Sequence, residues 1–287
     1  MCTFGLLYLV LIIAFIIADV QFVRWNDFHE LVGDRRVRYS MALSLISSSI
    51  SAILAVWLAV PTGYALARLG RDAIERRWEN FPNRRRFALA ARYAIDTVLD
   101  IPIFLPPLVV GISLLVLFQT PAGRWLNDCI SQVCAVIGVP QIRGITYEIP
   151  AVILSQFTVS AAFAIRTMRE TFEQTNPRSE QIAATLGASP AQTFRLVALP
   201  QAWRGCVAAF TLAWARSIGE FGPILIFAGT ARMKTEVLST TIYLNFQMGN
   251  LRGAVAASLI LVTIAIVVLI SMRWLMLDRP ANGSGVS

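Results

Sequence analysis

Six apolar runs, each long enough to cross a bilayer, alternate with polar segments along the chain: about Phe4–Phe22, Met41–Ala67, Ala94–Phe118, Ile149–Ile165, Val207–Ala228 and Ala254–Trp274. The alternation predicts an all-α membrane protein with six transmembrane helices. The fourth run is the shortest, and the third is interrupted by Pro102, Pro106 and Pro107. Prolines at membrane depth are tolerated where neighbouring helices or a cavity satisfy the freed carbonyls. That helix is therefore expected to be broken or kinked, either to line a pathway or only to pack.

The polar stretch before the fifth run is more detailed than a connection needs to be. Asn176-Pro177 offers an N-cap followed by proline at the first helical position, where a missing N–H costs nothing. Ile182, Ala183 and Leu186 then recur at helical spacing, and Gly187 supplies a left-handed stop. The pattern restarts at once: Ser189 caps, Pro190 takes the first position, and Gln192 completes a capping box. Pro200 is expected to close the second helix, because it cannot donate to a continuing ladder. Such a hairpin lies on the protein's own helices or head groups, or is recognised by a partner outside the membrane.

Composition fits the membrane setting: of 287 residues, 56% are hydrophobic and 15% charged, and mean hydropathy is +0.63. The chain suffices for one helical bundle without a sizeable soluble domain. Arginine sets the orientation, since Lys234 is the only lysine. With the N-terminus in the cytoplasm, fifteen arginines fall in inside segments, eight of them between Arg68 and Arg92, against nine basic residues outside. Both termini and the 168–203 segment are then cytoplasmic. The first helix taken alone favours the reverse, because no basic residue precedes it and Arg24, Arg35, Arg36 and Arg38 follow. A cleaved signal peptide is not expected, as no charged n-region or small-x-small site near Ala18 is present.

The net charge of +8 does not point to nucleic acid, because the arginines flank spans, where topology and anionic lipid require them. Cys129 and Cys134 share a predicted outside loop, open to pairing or to burial as thiols; Cys2 and Cys206 are isolated. His29 is the only histidine, so no Cys/His metal set and no Ser/His pair within a span is available. There is no Gly-x-x-x-x-Gly-Lys-Ser/Thr phosphate loop. Asp96 and Asp100 sit one turn apart on one helix, an arrangement suited to an interfacial or structural role rather than a facing dyad.

Intramembrane charge concentrates in the fifth run, at Arg216-Ser217-Ile218-Gly219-Glu220-Phe221-Gly222-Pro223. Arg216 and Glu220, four apart, are expected to share a helix face, either as an ion pair anchoring the bundle or as part of a solute route. With Pro106 and Pro107 they are the pathway candidates.

The cytoplasmic segment resembles the EAA loop of type-I ABC-importer permeases. In that pattern a Glu-Ala-Ala run leads to a glycine, nine further residues, a branched apolar residue, one more, and Leu-Pro. The matching positions are Gln181, Ile182, Ala183, Gly187, Val197, Leu199 and Pro200. Gln181 stands where the family has glutamate, Ile182 replaces its first alanine, and Val197 its usual isoleucine. Glu180 offers a carboxylate one position away, about 100° around the helix. Pro61-Thr62-Gly63-Tyr64-Ala65-Leu66-Ala67-Arg68 resembles the end of the family's first core helix. Leu105-Pro106-Pro107 with Gly111, and Arg216 to Gly222 with Ala228-Gly229, are similar to the molybdate, tungstate and sulfate branch.

The resemblance implies a type-I permease bundle: an N-terminal helix and outside loop in 1–40, a core in 41–275 carrying the coupling loop 168–203, and a tail in 276–287. It implies an inner-membrane subunit that imports a solute without being an enzyme itself. A separate ATPase subunit would bind ATP and magnesium, an extracytoplasmic binding protein would deliver the solute, and a second permease copy or related chain would complete the pore. The helix with Ile182, Ala183, Leu186 and Gly187 would dock in the ATPase. Rival classes are an ion-gradient-driven transporter or channel, which has no reason to keep the Gly187-to-Pro200 spacing, and a membrane enzyme, which lacks its catalytic sets.

Overall fold

A computed structural model describes residues 2–23, 28, 31–68, 82–136 and 144–277. His29, the loop arginines Arg71, Arg76 and Arg77, and the tail from residue 278 lie outside the described residues. Among those described, regular structure is helical throughout: α1 (Cys2–Phe22), α2 (Arg35–Arg68), α3 (Pro82–Phe104), α4 (Pro107–Gln119), α5 (Pro121–Val136), α6 (Ile149–Gln174), α7 (Pro177–Thr185), α8 (Pro190–Gln201), α9 (Trp203–Ile218), α10 (Leu238–Gln247) and α11 (Leu251–Leu277). Helices α1, α2, α6 and α11 are each long and apolar enough to cross a membrane, and two bent pairs bring the candidate spans to as many as six.

The bends fall where proline and glycine dictate. Between α3 and α4 the axis turns by 111°. Pro106 cannot donate an N–H, and its carbonyl accepts from Val109 and Val110 to start a new helix with Pro107 in its first turn. The third run is therefore broken, as its prolines predict. The fifth run is interrupted as well: α9 ends at Ile218, and the chain re-enters a helical turn at Gly222, π-type from Ile224 to Ala228. Residues 119–148 carry α5, an amphipathic helix where sequence reasoning expected only an outside loop. Cys129 lies on it as a free thiol, and the side chain of Cys134 lies outside those described.

Close contacts divide the chain into two compact units. One comprises the segments up to Ser47, Gly111–Ser155 and Ile218–Ser271. Its core gathers Val37, Leu238, Ala257 and Ile260. Small hydroxyls on α2 let α10 approach closely: Ser44 Oγ accepts from the Leu238 N–H at 2.7 Å and itself donates to the Ser40 carbonyl. These buried serines are satisfied by the helix's own carbonyls and by the neighbouring helix start. Asp34 begins α2 by accepting from the Arg36 N–H at 2.8 Å.

The other unit comprises Ser48–Val110, Gln156–Ser217 and the segment from Met272. Ala52, Ala55 and Ala59 on α2 are fully buried, as are Met168 and Phe172 on α6. Trp214 on α9 donates its indole N–H to Ser49 at 3.2 Å. A ring of charges ties α3 to α6. Arg169 contacts Asp96 at 2.7 Å and Glu173 at 2.9 Å, while Arg92 lies 3.7 Å from Asp96 and 3.6 Å from Glu173. Asp96 thus has the structural role expected of it.

Candidate functional site: the capped helical hairpin

The 177–200 hairpin is built from local chemistry that the sequence spells out. The Asn176 side chain accepts from the Arg178 N–H at 3.0 Å, with Pro177 opening α7. At the other end Gly187 adopts φ +87°, while Ala188 N–H returns to the Ala183 carbonyl and Gly187 N–H to that of Ala184. This double return is a Schellman stop, which needs a residue without Cβ strain in the left-handed region. Ser189 and Gln192 close a reciprocal capping box at the start of α8, at 2.8 and 3.3 Å.

The far end of α8 lies at Gln201, one residue past Pro200, where the chain bends by 71° into α9. A π-turn over Phe194–Ala198, in which Leu199 N–H reaches back to the Phe194 carbonyl, comes just before it.

The hairpin separates exposed from buried positions sharply. Ile182 on α7 and Leu186 at its C-cap, one turn apart, are 60% and 82% exposed. Gln181 and Gly187 are exposed beside them, and Ala183 is half-buried. Val197 and Leu199 are half-buried, Pro200 is exposed, and the residues that α8 buries are Thr193 and Ala198. One turn at the end of α7 therefore offers an apolar knob beside a glycine stop, while α8 buries Thr193 and Ala198 and leaves Leu196 73% exposed.

Sequence reasoning missed the residue that anchors this hairpin. Glu180 is 9% exposed and forms an ion pair with Arg68, the last residue of α2. Tyr64 donates its hydroxyl to the same carboxylate at 2.9 Å, and Arg68 also reaches the Phe172 carbonyl on α6 at 3.3 Å. Tyr64 lies 5.3 Å from the Phe172 ring and 4.7 Å from that of Phe194. The available signal was Glu180's placement in the first turn of α7, about 100° from Gln181 and so on another face.

The pathway candidates stand on separate elements. Pro106 and Pro107 form an exposed corner between α3 and α4. Arg216, half-buried near the end of α9, holds its guanidinium 6.0 Å from the Phe163 ring. Glu220 lies two residues beyond the end of α9, past Gly219, so the two are not on one helix. Glu220 is buried, and its backbone carbonyl accepts from Ser239 at 2.8 Å.

A cleft of about 740 Å³ lies between the start of α2 and the α10–α11 connection, lined by Arg36, Arg232, Arg252, Glu236, Thr241 and Asn245 among others. Burial pushes the Glu236 carboxyl above its ordinary range, against the opposing pull of the Thr241 hydroxyl and the Arg232 and Arg36 charges. A carboxyl raised in the folded state contributes stability below its unfolded pKa and loses it as pH rises through the folded value. Glu236→Gln should therefore melt above the parent at pH 8, with the gap closing toward pH 4. Thermal melts of the purified protein across that range check it; a gap that widens on acidification contradicts it.

A profile described as binding-protein-dependent transport system inner membrane component matches residues 84–277. The molybdenum transport system permease protein ModB of Mycobacterium tuberculosis is 31% identical over 252 residues, covering 87% of this chain and 84% of that protein. The molybdate/tungstate transport system permease protein WtpB of Pyrococcus furiosus is 33% identical over 242 residues, covering 84% and 79%. The sulfate transport system permease protein CysT of Salmonella typhimurium is 25% identical over 272 residues, covering 95% and 88%. A bacterial alginate ABC transporter solved with an alginate-pentasaccharide-bound periplasmic protein shares the fold, with a TM-score of 0.68 at 19% identity over 99% of this chain and 93% of that one. These findings agree with the resemblance carried by the Gly187-to-Pro200 spacing. The chain belongs to the binding-protein-dependent transport system inner membrane component family, as an integral membrane transport component.

Proposed function

We propose that this chain is the permease subunit of an ATP-driven importer, crossing the inner membrane six times with both termini in the cytoplasm. The arginine bias supports that orientation, which places the 168–203 segment on the ATPase side. The observation that carries the reading is the exposed Ile182–Leu186 pair on a helix fixed at both ends. A capped, rigid helix bearing an unburied apolar knob is suited to dock in a partner's groove and to pass on that partner's movement.

In this reading a separate ATPase subunit binds ATP and magnesium and biases the bundle between inward- and outward-open states through its different affinity for each. A second copy of the chain, or a related permease, completes the pore. An extracytoplasmic binding protein delivers the solute, which the names of the relatives suggest is an oxyanion such as molybdate, tungstate or sulfate. Arg216 adds positive potential that favours an anion along the route. The test is to purify the protein in mild detergent with the ATPase and binding protein that accompany it, and to reconstitute all three in vesicles. ATP-dependent, vanadate-sensitive uptake of one of the three oxyanions supports the reading. Uptake that follows an imposed ion gradient without ATP overturns it.

A further inference from the structure

Gln181 leaves the family's glutamate position without a charge, yet the structure places a carboxylate one residue earlier and turns it inward. We infer that Glu180, held by Arg68 and Tyr64, is the positioning residue that links the docking helix to the bundle, so that displacement of α7 moves the end of α2. The inference rests on the reading of α7 as the ATPase-docking element.

The geometry around Glu180 is that of a joint. Arg68 donates through its guanidinium to both carboxylate oxygens, Nε reaching Oε2 at 3.0 Å. A two-point contact between planar groups fixes orientation as well as distance. Tyr64, one turn before Arg68, also donates to Oε2, and the Arg68 guanidinium lies 5.4 Å from the Tyr64 ring centre. The same ring packs on Phe172 of α6 and Phe194 of α8. The C-terminal turn of α2 thus contacts α6, α7 and α8 through two side chains. The Arg68 and Glu180 side chains are 25% and 11% exposed, so water has restricted access to the pair.

The faces of α7 divide the work. Ile182 and Leu186 point away from the rest of the chain, while Glu180 is held against it. A push on the first two is resisted by the third, and a short helix gripped this way moves as a body. Gln181 is exposed, whereas the charge and the hydroxyl that hold Glu180 come from Arg68 and Tyr64.

The test uses the permease complexed with its ATPase, and hydrogen–deuterium exchange with and without ATP trapped by vanadate. In the parent, trapping should change exchange at α7 and at Tyr64–Arg68 together. Glu180→Gln keeps an acceptor for Tyr64 but loses the ion pair. It should still co-purify with the ATPase and respond at α7, with the response at Tyr64–Arg68 lost. Exchanging the partners, Arg68→Glu with Glu180→Arg, should restore the joint response, which a merely space-filling role would not predict. A parent-like response at Tyr64–Arg68 in Glu180→Gln overturns the inference, as does loss of ATPase binding in that variant, which would make the pair a folding contact. Leu186→Asp separates the two levels: if it leaves the ATPase bound, the docking reading itself fails.

Discussion

Leu186→Asp is expected to strip the ATPase from the detergent-solubilised complex and abolish ATP-driven uptake while leaving the permease folded. Leu186 is 82% exposed and Ile182, one turn before it, 60%. Neither contributes to the chain's own core, so the parent gains little from them without a partner. Burying a leucine in a groove is worth about 1.5–3 kcal/mol, and placing an ionised carboxylate there adds a desolvation penalty of several kcal/mol. Together these exceed about 3 kcal/mol, or roughly a hundredfold in affinity. The measurement is the ATPase-to-permease ratio after size-exclusion chromatography, with the melting temperature of the isolated permease as the folding control. A parent-like ratio would show that the partner grips some other surface.

The hairpin was legible because its signals are local. Asn176, Gly187, Ser189 and Gln192 each act within five residues, and every one makes the backbone contact that its type and position predict. The break at Pro106-Pro107 was legible for the same reason. The helix end beside Pro200 at Gln201 was legible too. Where local chemistry offers two solutions, the sequence alone does not choose: glycine at 219 can be tolerated mid-helix or can end it, and here α9 ends at Ile218, before Glu220.

What stayed hidden depends on distant partners. Glu180 gains its role from Tyr64 and Arg68, 116 and 112 residues away, and a single carboxylate in a helix's first turn is ordinary on its own. Helices α5 and α10 are short and mix polar with apolar positions, so neither reads as a spanning run in the sequence. The two-unit division is equally invisible in one dimension, since α2 contributes to both units. Spans, caps and breaks are written along the chain, whereas anchors and joints are written across it.

Gly111→Leu is expected to prevent assembly of the bundle, and Gly111→Ala to weaken it measurably. A Cβ at Gly111 would stand 2.8 Å from the Pro223 Cα, 3.2 Å from the Pro223 carbonyl oxygen and 3.2 Å from the Ile226 Cβ. Real Cβ atoms do not approach backbone so closely, and a proline backbone cannot swing aside as a long side chain can. Relief requires α4 and the 222–228 turn to separate. That would loosen neighbouring contacts such as Phe118 on Phe227, whose ring centres are 5.2 Å apart. Overpacking of this kind costs about 1–3 kcal/mol for small insertions and more where backbone must move. Leucine adds three further carbons to the same gap, enough to exceed the margin of a marginally stable domain. Gly5→Ala is the matched control, because nothing lies within 4 Å of a Cβ placed there. The readout is the yield of monodisperse protein from membranes and the melting temperature by tryptophan emission. Parent-like values for Gly111→Leu would mean that α4 and the Pro223 turn are not packed as the structure has them, and that the Leu105-to-Gly111 motif serves something other than close approach.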